Sequence, residues 1–212
     1  MQLGLQTAVA DRPSYAAASN TLKLGKHRSV FLAGDEADRF FEVESGAVMV
    51  YQLLDDGRRQ VVEIVFPGGV CGLAKGDEHG FCCETLTPTV LRSHKRAALA
   101  QSDVLRARLV DSLQQQLATL HGHAVSLGRK TAEERICTLI LRLQEQAGED
   151  DDAAVALPMT RTEIADYLGL TLETVCRTIT QLVRRKLLSP GATRSEIGVP
   201  SIERLRVAAC AA

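Results

Sequence analysis

Thr160-Arg161-Thr162-Glu163-Ile164-Ala165-Asp166-Tyr167-Leu168-Gly169-Leu170-Thr171-Leu172-Glu173-Thr174-Val175-Cys176-Arg177 is the run that decides the fold. It opens on a Thr-x-x-Glu box, in which the Thr hydroxyl and the Glu carboxylate satisfy free amides at a helix start, so a short helix begins at Arg161. Ile164, Ala165 and Leu168 form its inner face. Gly169 supplies a sharp exit, and Thr171 caps a second helix that carries Val175, Ile179, Leu182 and Val183 inward. Helices joined by so short a turn cross steeply, which requires the small Ala165 at their contact and the permissive Gly169 at the bend. A lone glycine between helices means little. Box, small contact residue, turn glycine and Val175 in one register make a plain helical hairpin the weaker reading.

The second helix turns Leu172, Glu173, Cys176 and Arg177 away from its core. Two readings of Glu173 and Arg177 stand. As a surface ion pair at helical spacing they add a few tenths of a kcal/mol. In a DNA major groove, Arg177 donates to guanine N7 and O6, Glu173 accepts from cytosine N4, and Leu172 offers apolar contact to a thymine methyl. Thr160, Arg161, Thr171 and Arg185 are the candidate phosphate contacts, which fix register without reading sequence. Beyond Lys186, the turn Ser189-Pro190-Gly191 and the run Glu196 to Val199 read as a small hairpin, making a winged helix-turn-helix. From Pro158 onward eight basic residues face five acidic ones, a basic module in a chain whose formal charge is −1. Counterion release from phosphates favours such a module on DNA. Cys176 also carries two readings: a merely tolerated residue, or a thiol beside Arg177 near a helix start, where oxidation adds bulk and negative charge against the groove.

Toward the N-terminus, Ile136, Leu139, Ile140 and Leu143 mark one face of a helix from about Ala132 to Ala147. Gly148 and the acidic run Glu149-Asp150-Asp151-Asp152 end it, and a linker is placed at about 148–156. Before it, Val110, Leu113, Leu117, Leu120, Ala124 and Leu127 recur at steps of three and four along one seam of a long helix, 102–128, with Gln114, Gln115 and Gln116 on its other faces. The seam either joins a parallel dimer or packs on the chain's own N-terminal domain. That domain, 22–101, is cut into short strands by glycine turns. Val48-Met49-Val50-Tyr51 and Val61-Val62-Glu63-Ile64-Val65 flank an Asp56-Gly57 hairpin signal, and the density of turns indicates a roll of antiparallel strands. Residues 1–21 read as an N-terminal arm and 129–212 as the winged-helix domain. The fold class is thus α+β: antiparallel β-roll, dimerisation helix, C-terminal winged helix-turn-helix.

The start of the chain has no basic residues before its apolar ones, so it does not read as a secretory signal; no stretch of the chain approaches a membrane span, and the expected setting is the cytoplasm. The six cysteines are then expected as thiols, with no zinc spacing among them. A haem or metal sensor built from Cys71, His79, Cys82 and Cys83 is the alternative, against the reading of these residues as small packed side chains. No nucleophile motif or phosphate-cradling glycine loop points to an enzyme.

Together with Asp56-Gly57-Arg58-Arg59-Gln60-Val61-Val62, Pro67-Gly68 and the preceding Leu157-Pro158-Met159, the deciding run resembles the CRP/FNR family of bacterial regulators, and within it the FixK type. The resemblance spans nearly the whole chain. It implies a homodimer on an inverted repeat with half-sites like TTGA, and recruitment of RNA polymerase at promoters for low-oxygen or nitrogen-fixation metabolism. The Glu, Ser and Arg with which FNR-like members read bases fall on Glu173, Cys176 and Arg177, so Cys176 departs from the pattern. Cyclic-nucleotide-binding members carry Gly-Glu and then an Arg-Ser or Arg-Thr pair. Here Leu73 follows Gly72 and Pro88-Thr89-Val90 stands near the place of the pair, so no cyclic nucleotide is expected. With no cysteine before Cys71, no four-thiolate iron-sulfur cluster is expected either.

Overall fold

The structure, a computed structural model, describes residues 20–147, 155–193 and 195–210. Most of the N-terminal arm and the acidic run lie outside the described residues. The chain forms two compact units, Met1–Leu117 and Ala118–Ala212.

The first unit is a roll of two four-stranded antiparallel sheets. One has the order β1 (Thr21–Leu24), β8 (Thr89–Lys95), β3 (Arg39–Ser45), β6 (Val70–Cys71). The other has the order β2 (Ser29–Phe31), β7 (Cys82–Thr85), β4 (Val48–Leu53), β5 (Arg59–Val65). Alternating residues of both sheets meet in a core of Val30, Phe31, Phe41, Val43, Val48, Val65, Cys71, Cys83 and Leu91. The Asp56-Gly57 signal is the tip of the β4–β5 hairpin. The turn between β3 and β4 demands glycine: Gly46 has φ +83°, and a Cβ there would lie 2.4 Å from the carbonyl oxygen of Pro88.

Helix α1 (Asp103–Arg129) follows the roll in the chain. Leu105 and Leu109 pack on Phe40, Val70 and Leu99. Arg108 pairs with Glu42, and the Ser112 hydroxyl donates to the Gly68 carbonyl at 3.0 Å. The glutamines do not all cover solvent-facing sides. Gln116 is half-buried, because its amide finds unpaired backbone groups on the edge strand β6. Val110, Leu113 and Leu117 remain 51%, 40% and 53% exposed, so the roll takes a different face of the helix.

In the second unit, α2 (Ala132–Ala147) buries Ile136, Leu139, Ile140 and Leu143. Thr131 and Glu134 form a reciprocal cap at its start: the Thr131 N–H donates to Glu134 at 2.7 Å and the Glu134 N–H to Thr131 at 3.3 Å. Helices α3 (Arg161–Leu168) and α4 (Leu172–Arg184) follow. Val155–Ala156, placed in the linker on sequence, form strand β9. It completes a three-stranded wing of order β10 (Ser189–Pro190), β11 (Glu196–Gly198), β9, because Val155 buries fully once paired with Ile197. A last helix, α5 (Ile202–Ala209), is capped by Ser201, buries Leu205, Ala208 and Ala209, and packs on α2.

Candidate nucleic-acid interface

The start of α3 has the expected box: the Thr160 N–H donates to Glu163 Oε2 at 2.6 Å, and the Glu163 N–H to the Thr160 hydroxyl at 3.3 Å. Glu163 is only 3% exposed, so this carboxylate closes the helix end rather than meeting solvent. Gly169 ends α3 at φ +61°, a left-handed conformation that an L side chain strains. Thr171 then accepts from the Thr174 N–H at 3.1 Å and starts α4. Ile164, Ala165, Leu168, Val175, Ile179 and Leu182 are buried, with Thr178 among them.

That inward stripe leaves Leu172, Glu173, Cys176 and Arg177 exposed on the opposite side of α4. Glu173 and Arg177 form no ion pair with each other, and among the described residues neither has any hydrogen-bond or ion-pair partner. The four side chains therefore present unspent donors, acceptors and apolar surface at the first turns of one helix.

The expected phosphate contacts divide. Thr160 and Thr171 stand at the two helix starts with their hydroxyls engaged as caps. Arg161 is half-buried. Its Nη1 has no hydrogen-bond partner among the described residues, and burial lowers its pKa while Cys176 acts to raise it. Arg185 is not a free cation: its Nη1 meets both carboxylate oxygens of Glu133 at 2.6 and 2.7 Å.

Sequence reading missed the residues that hold this reader to α1 and α2. Arg135 donates to the carbonyls of Lys130, Leu168 and Leu127 at 2.9, 2.8 and 2.7 Å, tying the α1–α2 turn to the end of α3. Arg142 donates to the Tyr167 hydroxyl at 2.8 Å, and His123 stacks on the Tyr167 ring. The only sequence signal for these was a basic or aromatic residue on an otherwise apolar helix face.

In the first unit a cavity of about 390 Å³ is lined by Phe31, Val50, Leu73, Lys75, His79 and Phe81, among others. Pro88-Thr89-Val90, expected near the second half of a nucleotide cassette, is not part of it. These residues sit against the Gly46 turn, where Thr89 donates to Ala47, and the wall beside Gly72 and Leu73 is built by the run through Phe81. Cys71, His79 and Cys82 do not come together as a ligand set among the described residues. The Cys83 thiol donates to Cys71 at 3.8 Å in the core, Cys82 accepts from the Ala33 N–H, and His79 lies flat on Phe31 at 3.9 Å. Burial raises the Cys83 pKa well above the usual thiol value, which opposes the thiolate a metal requires.

A capped pair of crossing helices with a wing, an exposed polar reading face and a β-roll ahead of it defines a winged helix-turn-helix transcription regulator. The Crp-like helix-turn-helix domain family matches residues 134–208, and the cyclic nucleotide-binding domain family matches residues 21–102. Over 172 residues the chain is 38% identical to the nitrogen fixation regulation protein FixK of Rhizobium meliloti, covering 76% of this chain and 74% of that one. FixK of Azorhizobium caulinodans is 32% identical over 203 residues, 92% of this chain and 82% of its own. The structure of FixK2 from Bradyrhizobium japonicum superposes with a TM-score of 0.79 at 35% identity, covering 89% of this chain and 96% of that one. The chain belongs to the CRP/FNR family of transcription regulators and is of the FixK type. That family regulates transcription and is not enzymatic.

Proposed function

We propose that the chain acts in the cytoplasm as a homodimeric activator that binds an inverted repeat of TTGA-like half-sites and recruits RNA polymerase to promoters of low-oxygen or nitrogen-fixation metabolism. The observation that carries the reading is the exposed set Leu172, Glu173, Cys176 and Arg177 at the start of α4, with Glu173 and Arg177 without hydrogen-bond or ion-pair partners among the described residues. In this reading Arg177 takes guanine, Glu173 cytosine, and Leu172 a thymine methyl. Thr160, Arg161, Thr171 and Arg185 meet phosphates, with Arg185 first leaving Glu133. The names of the FixK relatives support the nitrogen-fixation setting, and that of AadR of Rhodopseudomonas palustris, a transcriptional activatory protein 29% identical, supports activation.

The division of labour we propose follows an arm (1–21), a sensor-like roll (22–101), a dimerisation helix (102–128) and a DNA-binding domain (129–212) beyond which no cofactor is needed. The dimer forms along Val110, Leu113, Leu117, Leu120, Ala124 and Leu127. Neither a cyclic nucleotide nor an iron-sulfur cluster is part of this reading: Leu73 offers no acidic group to a ribose, and no cysteine precedes Cys71. Cys176 is the proposed oxidation-sensitive position, since it is exposed and interacts electrostatically with Arg161.

Selection of bound duplexes from a random pool tests the reading directly. The expected product is a palindrome with TTGA-like arms, and a pool that stays unselected while still bound overturns it.

A further inference from the structure

Each sheet of the roll ends in an edge strand, β6 in one and β5 in the other. On the side away from β3, Val70 has no strand partner for its N–H and C=O. Gln116 of α1 fills that place with a side-chain amide. Its Oε1 accepts from the Val70 N–H at 3.1 Å and its Nε2 donates to the Val70 carbonyl at 2.8 Å, the two-point pattern of a neighbouring strand delivered by a helix. Nε2 also donates to Glu63 Oε1 on β5 at 2.7 Å. One amide thus ties α1 to the outer strands of both sheets.

We propose that Gln116 is the positioning residue that fixes the rotation of α1 on the roll and so aims the stripe Val110, Leu113 and Leu117 at a second copy of this chain. The proposal rests on the dimer reading above. At 100° per residue, Leu105, Leu109, Ser112 and Gln116 fall within roughly 60° of arc, and the stripe is centred roughly 100° further round. Leu105 and Leu109 supply apolar contact with Phe40 and Val70, but such contact is non-directional and tolerates rotation. The hydrogen bonds of Gln116 do not, because their strength falls steeply with angle. A turn of the helix by one residue would carry the stripe onto the roll's flank and strand two backbone groups of β6.

The test is the dimer dissociation constant of the full chain by sedimentation, with thermal unfolding run alongside. Gln116→Glu sets a carboxylate against Glu63 and against the Val70 carbonyl, and should weaken the dimer about tenfold or more. Adding Glu63→Gln returns an amide to the facing side and should recover most of that loss, which a generally damaged helix would not. Gln116→Met, similar in length and helix-forming, removes every bond without adding charge and should weaken the dimer with little change in melting. Parent-like dimers in both Gln116 variants overturn the proposal, as does weakening by Gln116→Glu that Glu63→Gln leaves untouched. A parent chain that is itself monomeric removes the dimer reading, and this proposal with it.

Discussion

His123 on α1 lies flat against Tyr167 on α3, ring centroids 4.0 Å apart and planes within 4°. Its Nε2 is buried without a hydrogen-bond partner among the described residues. Burial, reinforced by the Arg142 and Arg135 guanidinium groups against a hydrogen bond with the Tyr167 backbone, pulls its pKa from 6.5 to about 4. The stack is therefore a contact of a neutral imidazole, and it joins the long helix to the first helix of the DNA reader inside one unit.

The first prediction follows from that shift. Between pH 6.5 and about 4 the unfolded chain binds a proton at His123 that the folded chain refuses, so folding stability declines as pH falls through this window. His123→Phe keeps an aromatic face on Tyr167 and removes the titration. Thermal unfolding of parent and variant from pH 7 to 4 should show a shallower acid decline in the variant, and parallel curves would refute the assignment.

Arg177→Ala should cost about 1 to 3 kcal/mol at its guanine and relax choice at that base pair alone. Fluorescence anisotropy on operators substituted one pair at a time measures both effects. A loss spread evenly over all sequences would make Arg177 a phosphate contact instead.

The stripe on α1 makes a third prediction. Three large apolar side chains exposed in one row are more than a solitary helix needs, and a coiled seam would bury them. Leu113→Glu and Leu117→Glu should each shift sedimentation toward the single chain at micromolar concentration without lowering the melting temperature of the roll, because neither position touches its core. Unchanged dimers would mean that the two chains meet elsewhere.

Cys176 supplies the fourth. Mild peroxide should oxidise its thiol toward an acidic form and weaken DNA binding, whereas Cys176→Ser should keep its affinity under the same treatment. The other four described thiols outside the surface, Cys71, Cys82, Cys83 and Cys137, are buried, so peroxide reaches Cys176 and Cys210 first. Equal loss in both proteins removes Cys176 from the mechanism.

The DNA reader was legible because its signals are local. The Thr160–Glu163 box, Gly169 and the Thr171 cap each act within four residues, and the structure places all three as read. The faces of α1 were half legible. Periodicity marked Val110, Leu113 and Leu117, but Gln116 looked like solvent cover because its partners, Glu63 and Val70, are far away in sequence. Helix α5 was not read at all: Leu205, Ala208 and Ala209 make a short, weakly apolar pattern whose burial depends on α2. The ion pair of Arg185 with Glu133 was not legible for the same reason, since nothing in the run Arg184-Arg185-Lys186 announces Glu133.

Glu133 and Arg185 give the last prediction. The pair joins one guanidinium nitrogen to both carboxylate oxygens and is partly exposed, with the Arg185 side chain 56% and the Glu133 side chain 31% accessible, so solvent and salt screen it and its contribution to stability is small. Its effect on DNA binding is larger, since a phosphate must compete with a carboxylate already in place on the guanidinium. Glu133→Gln removes the competing charge and keeps the side-chain shape. It should tighten binding to every duplex by a similar factor and leave the ranking among operators unchanged, because a phosphate contact carries no sequence information. Removal of a nearby negative charge also eases approach of the backbone, an effect that fades with salt. The double variant Glu133→Gln with Arg185→Ala separates the two: if the gain comes from freeing Arg185, it vanishes there, and if it survives, long-range repulsion by Glu133 is its source and Arg185 is no phosphate contact.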